Sequence, residues 1–256
     1  CFCTKEELDE RREQARERGE SFKYDKHCRN SAKDEIQKKL DANVPHVIRQ
    51  NIPQTGETSF TDEIFGTITV ENSTLDDNVL IKADGFPTYN FANVVDDHLM
   101  GITHVMRGME YLSSTPKYNL LYEAFGWEIP KYVHLTPIMR DATHKLSKRD
   151  GDASYADFRE KGYLMEAIVN YIALLGWNPG TEQEKFSMPE LIEAFSLKGL
   201  SKSPAIFDPL KLKWLNGEYI RALSAEEFGK HAAPWYERAG VSAMDRSILD
   251  RLLQPR

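Results

Sequence analysis

With 256 residues, 41% of them hydrophobic, the chain is long enough for one large or two modest domains and apolar enough to bury an ordinary core. Its formal charge of −7 argues against general nucleic-acid binding through net electrostatics, and no apolar run approaches the roughly 18 residues of a membrane helix. No charged-then-apolar leader stands at the start, so a soluble cytoplasmic protein is expected.

Thr4-Lys5-Glu6-Glu7 has the form of a capping box and Gly19 supplies a left-handed stop, which predicts a helix over about 5–18. A turn over 24–28 follows, then a short helix opened by Ser31 and carrying Ile36 and Leu40. Between His46 and Lys82 the β-branched and aromatic residues interrupted by polar breaks read as strands, notably over 63–71 and 79–81. Ser114-Thr115-Pro116 places a cap before a first-turn proline, with Leu120, Leu121 and Phe125 at helical spacing up to Gly126. The run 132–135 is strand-like and leads into a loop over 140–152. Strand, helix, strand and phosphate-binding loop is the order expected at the carboxyl edge of a parallel nucleotide-binding sheet.

Beyond Asp152 the pattern turns helical, with segments over 155–161 and 164–175 and a capping box with first-turn proline at Ser187-Met188-Pro189-Glu190. Asp208-Pro209 opens a further helix expected to close at Asn216-Gly217, and Ser224 caps the last one.

Three groups of residues carry chemistry. All the cysteines fall in Cys1-Phe2-Cys3 and Cys28; thiolates favour zinc, and a tetrahedral site needs one more ligand. A disulfide is not expected in this compartment. Lys145-Leu146-Ser147-Lys148-Arg149 gathers three cations around a hydroxyl, a set able to fold about a polyphosphate and neutralise charge on phosphoryl oxygens. Asp96, Asp97 and His98 imitate a metal triad, but consecutive side chains on a helix diverge by about 100°, so no metal is assigned there. Lys198, Lys202, Lys211 and Lys213 offer local basic surface for phosphate contacts.

The segment DGFPTYNFANVVDDHLMGITHVMRG, residues 84–108, together with KLSKR at 145–149, resembles the bacterial-type glutamyl-tRNA synthetases, and the resemblance runs over nearly the whole chain. KLSKR is similar to the second signature of class I aminoacyl-tRNA synthetases, usually written KMSKS. The resemblance implies an α/β fold: part of a Rossmann-like class I catalytic domain with an α+β connective insertion and a C-terminal helical region. It divides the chain into a connective, acceptor-end-binding insertion (1–85), the second half of the catalytic domain (86–152), stem-contact helices (153–225) and the start of an anticodon-binding domain (226–256).

The implied reaction is ATP-dependent activation of L-glutamate to glutamyl-adenylate and its transfer to the 3′ end of tRNA(Glu), with Mg2+ accompanying ATP and a monomer expected. The implied roles are Lys145, Lys148 and Arg149 in catalysis, Lys148, Ser147, Ile138 and Met139 against ATP, and Tyr89, Asn93, Arg107 and Glu110 around glutamate. Arg107 takes the substrate carboxylate, since only a guanidinium offers a planar fork. His134 is expected to be a packed strand residue. Some relatives hold zinc through Cys-x-Cys and a later Cys, completed by Tyr four residues before it or His two after it. Here Asn30 stands in the histidine position, so the implied set is Cys1, Cys3, Tyr24 and Cys28, with His27 out of step.

A first signature of the His-Ile-Gly-His type does not occur, so the chain is expected to be a piece of something longer and inactive alone. Two other readings remain: a paralogue that glutamylates a modified anticodon base, disfavoured by the long stretch after Arg149, and a catalytically inactive tRNA-binding protein.

Overall fold

The opening helix α1 (Lys5–Glu17) begins where Thr4 Oγ1 accepts the Glu7 N–H at 3.2 Å and the Glu7 carboxylate accepts the Thr4 N–H at 2.8 Å. Gly19, at φ +70°, ends it. In the computed structural model, which describes residues 1–147 and 154–255, the chain divides into two units, Cys1–His134 and Leu135–Arg256.

The first unit continues through a short 3-10 turn, His27–Asn30, and α2 (Lys33–Asp41). Ser31 does not cap α2; Ala32 stands at that position and makes no side-chain bond. β1 (Ile48–Arg49) pairs antiparallel with β4 (Val79–Ile81), and β2 (Glu57–Asp62) forms a hairpin with β3 (Gly66–Glu71). The strand expected over 63–71 is shorter at its start. Asp62 Oδ1 accepts the N–H groups of Ile64 and Phe65, both at 2.9 Å, and bends the chain into a turn that Gly66 leaves at φ +77°.

α3 (Tyr89–Leu99), β5 (His104–Gly108), α4 (Thr115–Phe125) and β6 (Lys131–Leu135) follow. They complete a four-stranded sheet of order β3-β2-β6-β5, with β2 parallel to β6. α4 has the expected first-turn proline and stops at Gly126 (φ +68°), although Ser114 makes no capping bond. The two helices pack through Val94, Tyr118, Leu121 and Tyr122, with Leu80 from β4 and the flanking Phe91 and Trp127. Burial of these side chains fixes the helices against the sheet, at about 25 cal/mol per Å² of apolar surface removed from water.

In the second unit β7 (Ile138–Met139) runs parallel to β8 (Ala205–Ile206), and the described residues form the helices α5 (Tyr155–Glu160), α6 (Met165–Gly176), α7 (Met188–Ala194), α8 (Pro209–Ala222), α9 (Ala225–Arg238) and α10 (Ala243–Leu253). Capping boxes at Ser154, Ser187 and Ser224 start three of them. α8 does not close at Asn216-Gly217. Buried Leu212 and Leu215 anchor it beside Phe158, Ile168 and Tyr171, Asn216 Oδ1 accepts the Leu164 N–H at 2.8 Å, and Tyr219 donates to Asn170 Oδ1 at 2.7 Å. These tertiary bonds outweigh the breaker tendency of an Asn-Gly pair, worth roughly 1 kcal/mol. Among the described residues no helix is long and apolar enough to cross a membrane.

Candidate active site and metal centre

The carboxyl end of β5 presents Arg107, and the start of α4 places Thr115 beside it. Arg107 Nη2 donates to Thr115 Oγ1 at 2.9 Å, and Arg107 Nε donates to His134 Nε2 at 3.3 Å. The guanidinium carbon lies 4.8 Å from the Tyr118 ring centre, 5.1 Å from Tyr111 and 5.6 Å from Tyr132. Among the described residues these hydrogen-bond and ring partners are all neutral side chains, and none is a carboxylate. The half-buried cation is thus held by neutral acceptors and ring faces, with Asp97 acting on it only at longer range.

Tyr89 and Asn93 lie one turn apart on α3 and so share a face. The Tyr89 ring stands 5.7 Å from that of Tyr111, and partial burial raises its phenol pKa, helped by Tyr111 and opposed by Arg107. Among the described residues Asn93 Oδ1 is buried without a hydrogen-bond partner, which leaves an acceptor for an incoming donor. Glu110 belongs to the short turn Met109–Tyr111 and is exposed, its carboxylate folded over Gly108, where a Cβ would collide with it. Thus the structure brings Tyr89 to Arg107 while Glu110 turns back over Gly108. His98, expected to hold no metal, stacks on Trp127 with ring centres 4.0 Å apart.

His134 is packed in a strand, as expected, and also makes polar contacts that the sequence did not reveal. Its Nδ1 lies 2.7 Å from Asp62 Oδ2, its own N–H donates to the same oxygen at 3.0 Å, and both side chains are fully buried. Burial, with Arg107 adding, lowers the imidazole pKa, against the opposing pull of Asp62.

The three thiols converge, their sulfur atoms all within 4.8 Å of one another. Cys3 Sγ is 3.5 Å from Cys28 Sγ, and Tyr24 Oη lies 3.1 Å from Cys1 Sγ and 3.8 Å from Cys3 Sγ. A tetrahedral zinc with Zn–S bonds of about 2.3 Å needs sulfur separations of about 3.8 Å, so this donor set fits the ion. Tyr24 is buried, whereas His27 is exposed and does not belong to the thiol group. Burial alone would raise the Cys28 pKa, but the Phe2 N–H at 3.4 Å, the Tyr24 hydroxyl and Cys3 hold it below the ordinary thiol value. Burial raises the Cys3 thiol and the Tyr24 phenol.

In the second unit the KLSKR segment closes a hairpin: Lys145 bridges Met139, the Leu146 N–H donates to the Ile138 carbonyl at 3.0 Å, and the Arg140 N–H donates to the His144 carbonyl at 2.8 Å. The Asp141 carboxylate gathers the Thr143 and His144 N–H groups and the His144 ring, which hold its pKa well below the usual range. Lys145 and Ser147 are exposed at the end of the hairpin. Lys148 and Arg149 lie outside the described residues. Of the distal lysines, Lys211 is tied to Glu184 at 2.5 Å.

The class of protein is a class I tRNA synthetase, which the family match shows. Residues 1–214 match the model of the tRNA synthetases class I (E and Q), catalytic domain, and the chain belongs to that family. It is 62% identical over its whole length to a glutamate–tRNA ligase of Clostridium botulinum (strain Hall), 53% of which it covers. It is 60% identical to that of Clostridium kluyveri, again covering 53%, and 62% identical to that of Clostridium tetani, covering 52%. Among solved structures it is similar to a glutamate tRNA ligase from Elizabethkingia meningosepticum in complex with its amino acid, at 38% identity and a TM-score of 0.92, covering all of this chain and 56% of the other. A glutamate-tRNA synthetase from Elizabethkingia anophelis matches with a TM-score of 0.91 at 38% identity, with 57% of it covered. The chain spans about half the length of the curated relatives it matches.

Proposed function

We propose that the chain supplies the amino-acid pocket and the second phosphate-binding loop of a glutamate–tRNA ligase. The observation that carries this reading is Arg107, a half-buried guanidinium set among His134, Thr115, Tyr89 and the rings of Tyr111, Tyr118 and Tyr132. The side-chain carboxylate of glutamate takes the remaining fork of Arg107, and its ammonium satisfies Asn93 Oδ1. Tyr89 lines the same space, and Glu110 borders it.

The α-carboxylate of the held glutamate attacks the α-phosphorus of ATP, pyrophosphate leaves, and the adenylate passes glutamate to the terminal ribose of tRNA(Glu). Lys145, Lys148 and Arg149 neutralise charge on the phosphates, Ser147 assists, and the backbone of Ile138 and Met139 faces adenine. Mg2+ arrives with ATP. Orientation and charge neutralisation supply the rate, and no covalent protein intermediate is required.

Cys1, Cys3, Cys28 and Tyr24 hold a structural zinc that fixes the turn at 24–28 within a connective insertion over 1–85. The catalytic half is assigned to 86–152, stem contacts to 153–225 and the entry to an anticodon-binding region to 226–256, in a cytoplasmic monomer. The relatives' names favour this ligase over a base-modifying paralogue. The test is charging of an unmodified tRNA(Glu) transcript by the full-length protein. Attachment of glutamate is expected, whereas attachment only to tRNA carrying a modified anticodon base would favour the paralogue.

A further inference from the structure

We infer that His134 is a positioning residue for substrate recognition, its Nε2 lone pair aimed by Asp62 to hold the Arg107 guanidinium in register with the bound dicarboxylic amino acid. This rests on the reading of Arg107 as the carboxylate-binding residue. Asp62 Oδ1 is engaged by two backbone N–H groups, at Ile64 and Phe65, and Oδ2 by the His134 N–H at 3.0 Å and by His134 Nδ1 at 2.7 Å. A carboxylate has no proton to give, so Nδ1 carries the ring proton and Nε2 is left as an acceptor. That acceptor meets Arg107 Nε at 3.3 Å.

Thr115 completes the clamp. Its hydroxyl oxygen accepts from Arg107 Nη2 at 2.9 Å, and its own proton lies between the Tyr111 carbonyl at 3.0 Å and His134 Nε2 at 3.2 Å, so Thr115 joins Arg107 at the same imidazole acceptor. One edge of the guanidinium, Nε with Nη2, is thus fixed by two neutral acceptors, which leaves Nη1 and the second Nη2 hydrogen, beside Tyr89, as the donors for a ligand carboxylate. Neutrality matters here, because a carboxylate in the place of His134 would fix the arginine equally well but cancel the charge that the substrate must meet. Complete burial, with the Tyr132 ring stacked 6.0 Å away and the Phe60 edge at 6.4 Å, lowers the imidazole pKa against the pull of Asp62 and so disfavours the charged ring.

The test uses the full-length protein in glutamate-dependent ATP–pyrophosphate exchange, with thermal unfolding followed on each variant. His134→Leu is expected to raise the KM for glutamate by about tenfold or more with the KM for ATP unchanged, the effect of losing one hydrogen bond to a charged group. His134→Gln, whose amide both donates toward Asp62 and accepts from Arg107, is expected to restore most of the affinity. In an Arg107→Lys background, His134→Leu should add little. If the leucine variant has no cooperative unfolding transition, His134→Asn, which reaches Asp62 but stops short of Arg107, replaces it with the same expectation. Equal rises in both KM values, failure of glutamine to rescue, or full additivity with Arg107→Lys overturns the inference. An unchanged glutamate KM in Arg107→Lys alone removes the reading of Arg107 itself, whereas a raised KM there with no effect of His134→Leu removes only the role of His134.

Discussion

Lys26 Nζ lies 2.7 Å from both carboxylate oxygens of Asp77, 51 residues away in sequence, and also donates to the Ile52 carbonyl at 2.8 Å. The Ile52 N–H closes the set onto Asp77 Oδ1 at 3.0 Å. Both charged side chains are largely buried, at 15% and 6% exposure, and Lys26 holds the left-handed backbone (φ +58°) that turns the chain into Cys28. The pair therefore ties the turn that carries Cys28 to the segments flanking β1 and β4.

Removing one partner leaves the other charge buried and unpaired. Asp77→Ala is expected to destabilise the protein by roughly 3–5 kcal/mol, read as a lower midpoint in urea unfolding. A shift equivalent to under about 1 kcal/mol would place the pair with solvent-screened ion pairs.

The thiol group makes a compositional claim. Purified protein is expected to carry close to one zinc per chain by elemental analysis, and Cys28→Ser to lose most of it, because a hydroxyl is a far poorer zinc donor than a thiolate. Less than about a tenth of an equivalent in the wild-type protein, under conditions that keep thiols reduced, would remove zinc from the site.

Alkaline pH reports on the packing of α3 against α4. The Tyr122 phenol is pushed up to about 12 by burial, with Asp97 adding. Its unfolded value is about 10, so its contribution to stability is whole below pH ~10 and disappears as pH rises through about 12. Ultraviolet titration should show a late-ionising tyrosine that is missing in Tyr122→Phe, and an identical titration curve for the two proteins would contradict the packing.

Lys148 is assigned from KLSKR alone. In the full-length protein Lys148→Ala is expected to lower kcat by at least about tenfold while leaving the KM for glutamate within about twofold, the pattern of an interaction made chiefly in the transition state. A raised glutamate KM with normal turnover would move Lys148 from the phosphates to the amino acid.

Much of this was legible because the relevant signals are local. Thr4 with Glu7, Ser187 with Glu190 and Ser224 with Glu227 are capping pairs three residues apart, and each opens a helix. The clustering of the three thiols was legible in their spacing and Tyr24 in the family resemblance; the sulfur atoms converge, with the Tyr24 hydroxyl beside them. The clamp around Arg107 could not be read in this way. His134 and Asp62 are 72 residues apart and meet only because β2 lies beside β6, a parallel pairing for which periodicity gives no register. Asn216-Gly217 failed as a stop for a similar reason, since Asn216 bonds Leu164, 52 residues earlier.

Recognition of the substrate carboxylate by Arg107 is tested most directly by the glutamate dependence of ATP–pyrophosphate exchange in the full-length protein and its Arg107→Ala variant. Loss of a charge-assisted bidentate pair costs on the order of 3 kcal/mol, so the KM for glutamate is expected to rise by about 100-fold or more with the KM for ATP little changed. A glutamate KM in Arg107→Ala within about twofold of wild type would contradict the assignment and move carboxylate recognition to another residue.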